Sequence, residues 1–248
     1  MIVSCQKEES FPRFQKALQK YGLNAVNLPV ITTQTVEPDA HTLNIIDKIS
    51  DFDYIIVTSA AGVDSFNYLI NSVKSQIIKS SLPIITVGKK TSEKLKSQSF
   101  NVAIENPGTT AADLAEYLIN SGLIHGKNIL QAKGDIASPI IKERLEGVCN
   151  YTQITVYQTI AINNPDSKVI SLINNKKANG FVFSSPSEFR SFLNIEKIAN
   201  FATDTVIFCI GKTTAEFIKN QGFTNVHTSP EPKFEILAEY IANTFKTL

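Results

Sequence analysis

Asp53-Tyr54-Ile55-Ile56-Val57-Thr58-Ser59 is a short apolar run that ends in two hydroxyl side chains, and Asn179-Gly180-Phe181-Val182-Phe183-Ser184-Ser185 repeats the pattern 126 positions later. A run of this length, rich in β-branched and aromatic residues, predicts a strand buried on both faces. The same reading applies to Ile2–Cys5, Pro83–Val87, Asn128–Gln131 and Thr205–Ile210. Between these runs lie amphipathic segments such as Phe11–Tyr21, with Phe14, Leu18 and Tyr21 at helical spacing. Strands alternating with helices predict an α/β fold with parallel sheets.

The repeat extends beyond the strands. Val87-Gly88-Lys89-Lys90-Thr91 is answered by Ile210-Gly211-Lys212-Thr213-Thr214, Pro107 by Pro230, and Leu114-Ala115-Glu116-Tyr117 by Leu237-Ala238-Glu239-Tyr240, each 123 positions on. Glu and Tyr on a helix are not demanded by core packing, so their recurrence argues for duplication. A period of about 125 residues is too long for a solenoid and points to two similar flavodoxin-like domains. Ile31–Glu37, before Pro38, and Thr155–Ile162, before Pro165, have strand propensity without a helical period. They read as a two-stranded β linker, with strands at 31–37 and 154–162. Domain 1 is then 1–30 plus 163–248, and domain 2 is 38–153.

Composition narrows the function classes. The chain has 24 Lys+Arg against 23 Asp+Glu, a net charge of +1, and 43% hydrophobic residues. That balance argues against a general nucleic-acid binder, which needs a basic excess to meet many phosphates. No apolar run approaches the roughly 20 residues of a membrane span, and Met1-Ile2-Val3-Ser4 turns polar at once, unlike a secretory signal. A cytoplasmic protein is expected. Cys5, Cys149 and Cys209 read as buried thiols, and His41, His125 and His227 are scattered, so no metal site is expected.

The candidate chemistry lies at strand ends. Thr58-Ser59-Ala60 and Ser184-Ser185-Pro186-Ser187 each close a strand and open a helix. Ligands of open α/β sheets sit beyond the carboxyl ends of the strands, where helix N–H groups welcome anions. N-capping accounts for either serine alone; its occurrence in both halves favours a ligand. Gly88-Lys89-Lys90-Thr91 and Gly211-Lys212-Thr213-Thr214 form a second pair, and Lys133-Gly134-Asp135 a third polar turn after the strand ending at Gln131, with Pro139 in the first turn of the next helix. Gly211-Lys212-Thr213 is not a phosphate-binding P-loop, because Val206 occupies the position of its first glycine. Dinucleotide glycine fingerprints and a Gly-x-Ser-x-Gly nucleophile elbow are also missing. Amide groups, hydroxyls and a few lysines converging on a cleft between two domains suit a multiply anionic ligand held in shape.

Together these motifs resemble the uroporphyrinogen-III synthase family over nearly the whole chain. The most specific element is Ile154-Thr155-Val156-Tyr157-Gln158-Thr159, which is similar to the family's second inter-domain strand with its tyrosine. The resemblance implies a substrate, hydroxymethylbilane, with acetate and propionate carboxylates on four pyrrole rings, received by transient hand-over from the enzyme that makes it. It implies loss of the ring A hydroxyl to an azafulvene, attack by ring D at its substituted carbon, and a spiro intermediate that recloses with ring D inverted. It implies no cofactor, and Tyr157 as the group assisting hydroxide departure. The family's arginines near the first strand and after the third turn are replaced here by Ser4-Cys5-Gln6-Lys7 and Ala137-Ser138-Pro139, leaving Lys7 and Lys133 as substitutes. An ammonium does not reproduce a bidentate guanidinium. A monomer is expected. The competing readings are a two-lobed cytoplasmic binding protein for an anionic small molecule and a nucleotide-sugar enzyme.

Overall fold

The structure, a computed structural model, describes residues 1–73, 79–106, 108, 110–198 and 201–247. Pro107, matched to Pro230 in the repeat, lies outside them. In chain order the elements are β1 (Ile2–Ser4), α1 (Phe11–Gln19), β2 (Ala25–Asn27), β3 (Ile31–Thr35), α2 (Ala40–Asp47), β4 (Tyr54–Val57), α3 (Ala60–Ser72) and β5 (Pro83–Thr86). They continue with α4 (Lys89–Ser97), β6 (Asn101–Glu105), α5 (Ala111–Asn120), β7 (Asn128–Gly134), α6 (Ile140–Leu145), β8 (Asn150–Ala161) and α7 (Ser167–Asn174). The chain closes with β9 (Gly180–Phe183), α8 (Pro186–Leu193), β10 (Ile207–Cys209), α9 (Lys212–Asn220), β11 (Val226–Thr228) and α10 (Phe234–Thr247).

The chain divides into two compact units: Met1–Thr32 with Ile160–Leu248, and Thr33–Thr159. The first unit carries a sheet in the order β11-β10-β9-β1-β2, every neighbouring pair parallel. The second carries β6-β5-β4-β7-β8, again parallel, with β3 added beside β8. The two orders correspond strand for strand. In the first unit, however, the segment β1-α1-β2 does what β7-α6-β8 does in the second, so part of that sheet comes from the far end of the sequence. Val36 N–H donates to the Val156 carbonyl and Ile162 N–H to that of Val30, so β3 and β8 run in opposite directions.

The central strands β4 and β9 are apolar because each feeds two cores. In β4, Ile55 and Val57 join a cluster with Val63, Phe66 and Leu69 of α3, while Ile56 points to the other face, against Leu114, Ala115 and Leu118 of α5. In β9, Phe181 and Phe183 face Phe189 and Phe192 of α8, while Val182 meets Leu237, Ala238 and Ile241 of α10. That is period-two alternation with both faces covered. The Leu-Ala pairs of the repeat are therefore core residues, and Glu116 and Glu239 are exposed. Tyr240 packs beside Phe208 and His227, so packing does account for one of the repeated tyrosines.

Two local expectations are corrected. The strand expected to stop at Gln131 runs to Gly134, which puts Lys133 and Gly134 inside β7 and leaves Asp135 to begin the turn. Pairing of Lys133 with Thr155 and of Gly134 with Tyr157, both on β8, outweighs the poor strand propensity of Lys and Gly. Pro139 stands at the N-cap of α6 rather than within its first turn.

Candidate functional site

In both units the strand order reverses at one place: between β4 and β7, and between β9 and β1. Such a switch point leaves a crevice at the strands' carboxyl ends; residues 58–60, 133–135 and 184–187 lie at these two points, and residues 88–91 and 211–214 lie one strand further out.

In the second unit Ser59 is the N-cap of α3, its Oγ accepting from Gly62 N–H at 3.0 Å. The same Oγ lies 3.2 Å from the Tyr157 hydroxyl. A serine oxygen has one proton and two lone pairs. With one lone pair taken by Gly62, Ser59 can donate its proton to Tyr157 and leave the phenol proton free to point outward. Tyr157 reaches this position through a bulge. Ala132 pairs with Ile154 and Lys133 with Thr155, but Gly134 pairs with Tyr157, so β8 holds one extra residue. Strict alternation would send Val156 and Tyr157 to opposite faces; instead Ile154, Val156 and Tyr157 all pack on the α3-side core. Re-aiming a side chain is a common use of a bulge.

Two glycines make room for the ring. A Cβ at Gly134 would lie 2.4 Å from the ring Cζ and 2.8 Å from the phenol oxygen. A Cβ at Gly62 would meet Ser59 Oγ at 3.0 Å and the Tyr157 ring at 3.7 Å. Behind the ring, Asp135 N–H donates to the Tyr157 carbonyl, and the Asp135 carboxylate accepts from Thr159 N–H, both at 3.0 Å. Asp135 thus holds the backbone of β8. Lys133 Nζ sits 3.4 Å from the Gly134 carbonyl. Thr58 and Ala60, both half-buried, flank Ser59.

The next turn along this edge is opened by Gly88, whose φ of 79° favours glycine. Lys89 and Lys90 are exposed, Lys89 near Glu93 at 3.8 Å, and Thr91 is buried. Gly211 needs no such conformation, its φ of −156° being extended. Lys212 and Thr213 are exposed, while the buried Thr214 donates to the Ser184 carbonyl at 3.4 Å.

In the first unit Ser185 caps α8, accepting from Glu188 N–H at 3.2 Å, and its Oγ lies 2.9 Å from that of Ser187. Pro186 takes the first helical position, where a missing N–H costs nothing. Sequence reasoning overlooked Glu188. Its side chain, 2% exposed, receives both the N–H and the hydroxyl of Ser184, each at 2.5 Å. Burial pushes this carboxyl up to about 7 against the opposing pull of the Ser184 and Ser185 contacts and of Lys7. The signal available was Ser185-x-x-Glu188, the spacing of a capping box, although the carboxylate reaches one residue further back than that motif requires. Gln6, in the turn after β1, was also overlooked. It is fully buried, and neither amide atom has a hydrogen-bond partner among the described residues.

Cys5 and Cys209 are buried, Cys149 is half-buried, and burial raises the pKa of each thiol. Among the described residues there is no group of three or more His, Cys, Asp or Glu side chains able to hold a metal, and no helix long and apolar enough to cross a membrane.

Comparison with known proteins places this geometry. The family model described as uroporphyrinogen-III synthase HemD matches residues 12–239. A uroporphyrinogen-III synthase of Schizosaccharomyces pombe is 25% identical over 246 residues, covering 95% of this chain and 93% of the relative. The porphyrin biosynthesis protein HemD of Ruminiclostridium josui is 24% identical over 88% of this chain, which spans 43% of that longer protein. Among solved structures, the uroporphyrinogen-III synthetase of Helicobacter pylori superposes with a TM-score of 0.67 at 17% identity, over 98% of each chain. A mutant uroporphyrinogen III synthase of Thermus thermophilus gives 0.60 at 14% identity, over 100% of this chain and 99% of that one. The chain belongs to the uroporphyrinogen-III synthase family.

Proposed function

We propose that the chain cyclises hydroxymethylbilane to uroporphyrinogen III, with Tyr157 donating a proton or hydrogen bond to the departing ring A hydroxyl. The observation that carries this assignment is the Tyr157 hydroxyl 3.2 Å from Ser59 Oγ, in a seat that Gly62 and Gly134 leave clear. Once the hydroxyl has left as water, the azafulvene is electrophilic and the linear chain can close unaided to the symmetrical isomer. The enzyme's larger task is conformational: it holds a flexible polyanion so that ring D attacks the azafulvene through its substituted carbon.

The substrate's carboxylates are assigned to the amide- and hydroxyl-bearing turns. These are Thr58, Ser59 and Ala60; Gly88, Lys89, Lys90 and Thr91; Lys133, Gly134 and Asp135; Ser184, Ser185, Pro186 and Ser187; and Gly211, Lys212, Thr213 and Thr214. Helix N-termini favour anions through their unpaired N–H groups and dipoles, and Lys7 adds charge in place of a family arginine. On this reading the chain works as a cytoplasmic monomer that receives its substrate from the enzyme that makes it.

The test is incubation with freshly prepared hydroxymethylbilane and separation of the type I and type III products. The enzyme yields predominantly type III. A protein that only binds the bilane leaves the type I product of spontaneous closure, and that result would overturn the assignment.

A further inference from the structure

Ser184 is assigned above to a substrate carboxylate, yet both of its donors are already used: the N–H on Glu188 Oε2 and the hydroxyl on Glu188 Oε1. While Glu188 is ionised the turn is satisfied by an anion of its own, and a second anion would meet a filled donor set and a like charge. Protonation reverses this. A carboxylic acid keeps one oxygen as acceptor for the Ser184 N–H and turns the other into a donor to Ser184 Oγ. The serine proton is then free to point outward.

We propose that Glu188 is a proton-linked gate on the Ser184 hydroxyl, so that binding a substrate carboxylate at this turn takes up one proton from solvent. The inference rests on the function proposed above and adds a positioning residue to it. The proton goes to Glu188 Oε1, the Ser184 hydroxyl rotates from Glu188 to the ligand, and no covalent bond to carbon changes.

The surroundings fit a gate that works near neutrality. Burial raises the carboxyl to about 7, so both states are populated there. The charged and titratable groups facing it are Cys5 and Lys7, both after β1, and Cys209 on β10. Lys7 favours the ionised form. Burial pushes both thiols upward, Cys209 to about 12 against the pull of Lys219, and Glu188 adds a smaller rise to each, so they stay neutral through this range. Gln6, with two buried amide atoms and no partner among the described residues, follows Cys5 after β1 in the same unit.

Glu188→Gln tests the gate because the amide is a permanent copy of the protonated state: its oxygen accepts from Ser184 N–H and its nitrogen donates to Ser184 Oγ. The measurement is steady-state formation of type III product from hydroxymethylbilane between about pH 6 and about pH 8.5, where the substrate's own carboxylates, with ordinary values near 4 to 5, stay ionised. The wild-type KM should rise above about pH 7, approaching about tenfold per pH unit for one linked proton. The Glu188→Gln KM should stay flat to within about twofold, with kcat close to wild type at the acid end. Ser184→Ala removes the hydroxyl itself and should show a raised KM with no such slope, which keeps the test available should Glu188→Gln fold poorly; thermal melts across the range establish folding. A Glu188→Gln or Ser184→Ala KM that follows the wild-type curve overturns the gate. Wild type forming no type III product at any pH would instead overturn the enzyme assignment, and the gate with it.

Discussion

The N-termini of α3 and α8 are one device filled in two ways. Both open at a serine cap following the central strand, and both caps accept from the third helical N–H. In α3 that third residue is Gly62, which leaves room for a phenol; in α8 it is Glu188, which folds its carboxylate back onto the preceding residue. A carboxylate at a helix N-terminus is favoured by the dipole and by the unpaired N–H groups. The first unit therefore satisfies its own anion-binding turn, while the second offers its turn with Tyr157 aimed at it. Duplication supplied two equal crevices, and the third helical residue made them unequal.

That contrast can be broken experimentally, beginning with the largest effect. Tyr157→Phe removes the proposed donor without emptying the ring's seat, and kcat for type III formation should fall by about 10²–10⁴-fold, the usual worth of a general acid. Wild-type rates would remove the role from Tyr157. Glu188→Gln should alter how stability depends on pH. A carboxyl raised from 4.5 unfolded to about 7 folded contributes stability that is fully present below 4.5 and lost as pH rises through 7. Wild type should therefore lose on the order of 3 kcal/mol relative to Glu188→Gln between about pH 4.5 and about pH 8, read from denaturant midpoints; parallel curves would mean that Glu188 is not buried in this way. Gly134→Ala pushes a methyl into the Tyr157 ring, and a displacement on the order of 1 Å should cost roughly 10²-fold in kcat, with thermal melts confirming folding. Activity within about twofold of wild type would show the ring to be free to move. Gln6→Met replaces two unpaired buried amide atoms with an apolar chain of similar shape and should stabilise the fold by about 1–2 kcal/mol. Destabilisation would show that Gln6 has partners in solution.

Much of the fold could be read locally because it is locally determined. Ile55-Ile56-Val57 and Phe181-Val182-Phe183 are short, uninterrupted and bounded by polar residues, as two-faced strands must be. The end of β7 is hard to read because Lys133 and Gly134 are poor strand formers whose pairing partners, Thr155 and Tyr157 of β8, are distant in sequence. The site was legible as a set of turns, not as contacts. Tyr157 and Ser59 could each be singled out, but their meeting depends on the extra residue at Val156 and on two glycines that carry no signal by themselves. Glu188 was passed over because Ser-x-x-Glu is usually read as a helix start. Its burial follows from the packing of β9 and α8, which sequence spacing does not encode.

The placement of β1 has a consequence for synthesis. β1 lies between β2 and β9, pairing Ile2 with both Ala25 and Gly180, so one of its edges has no partner until residue 180 has been made. At roughly 5–20 residues per second, the nascent Ile2–Asn27 segment waits about ten to thirty seconds beyond its own completion, with a bare strand edge and an apolar helix face. Over the same interval the contiguous segment Thr33–Thr159 can fold on the ribosome. The Ile2–Asn27 segment is thus translated well before its sheet can be completed, and a chaperone that shields it would act long before β9 emerges.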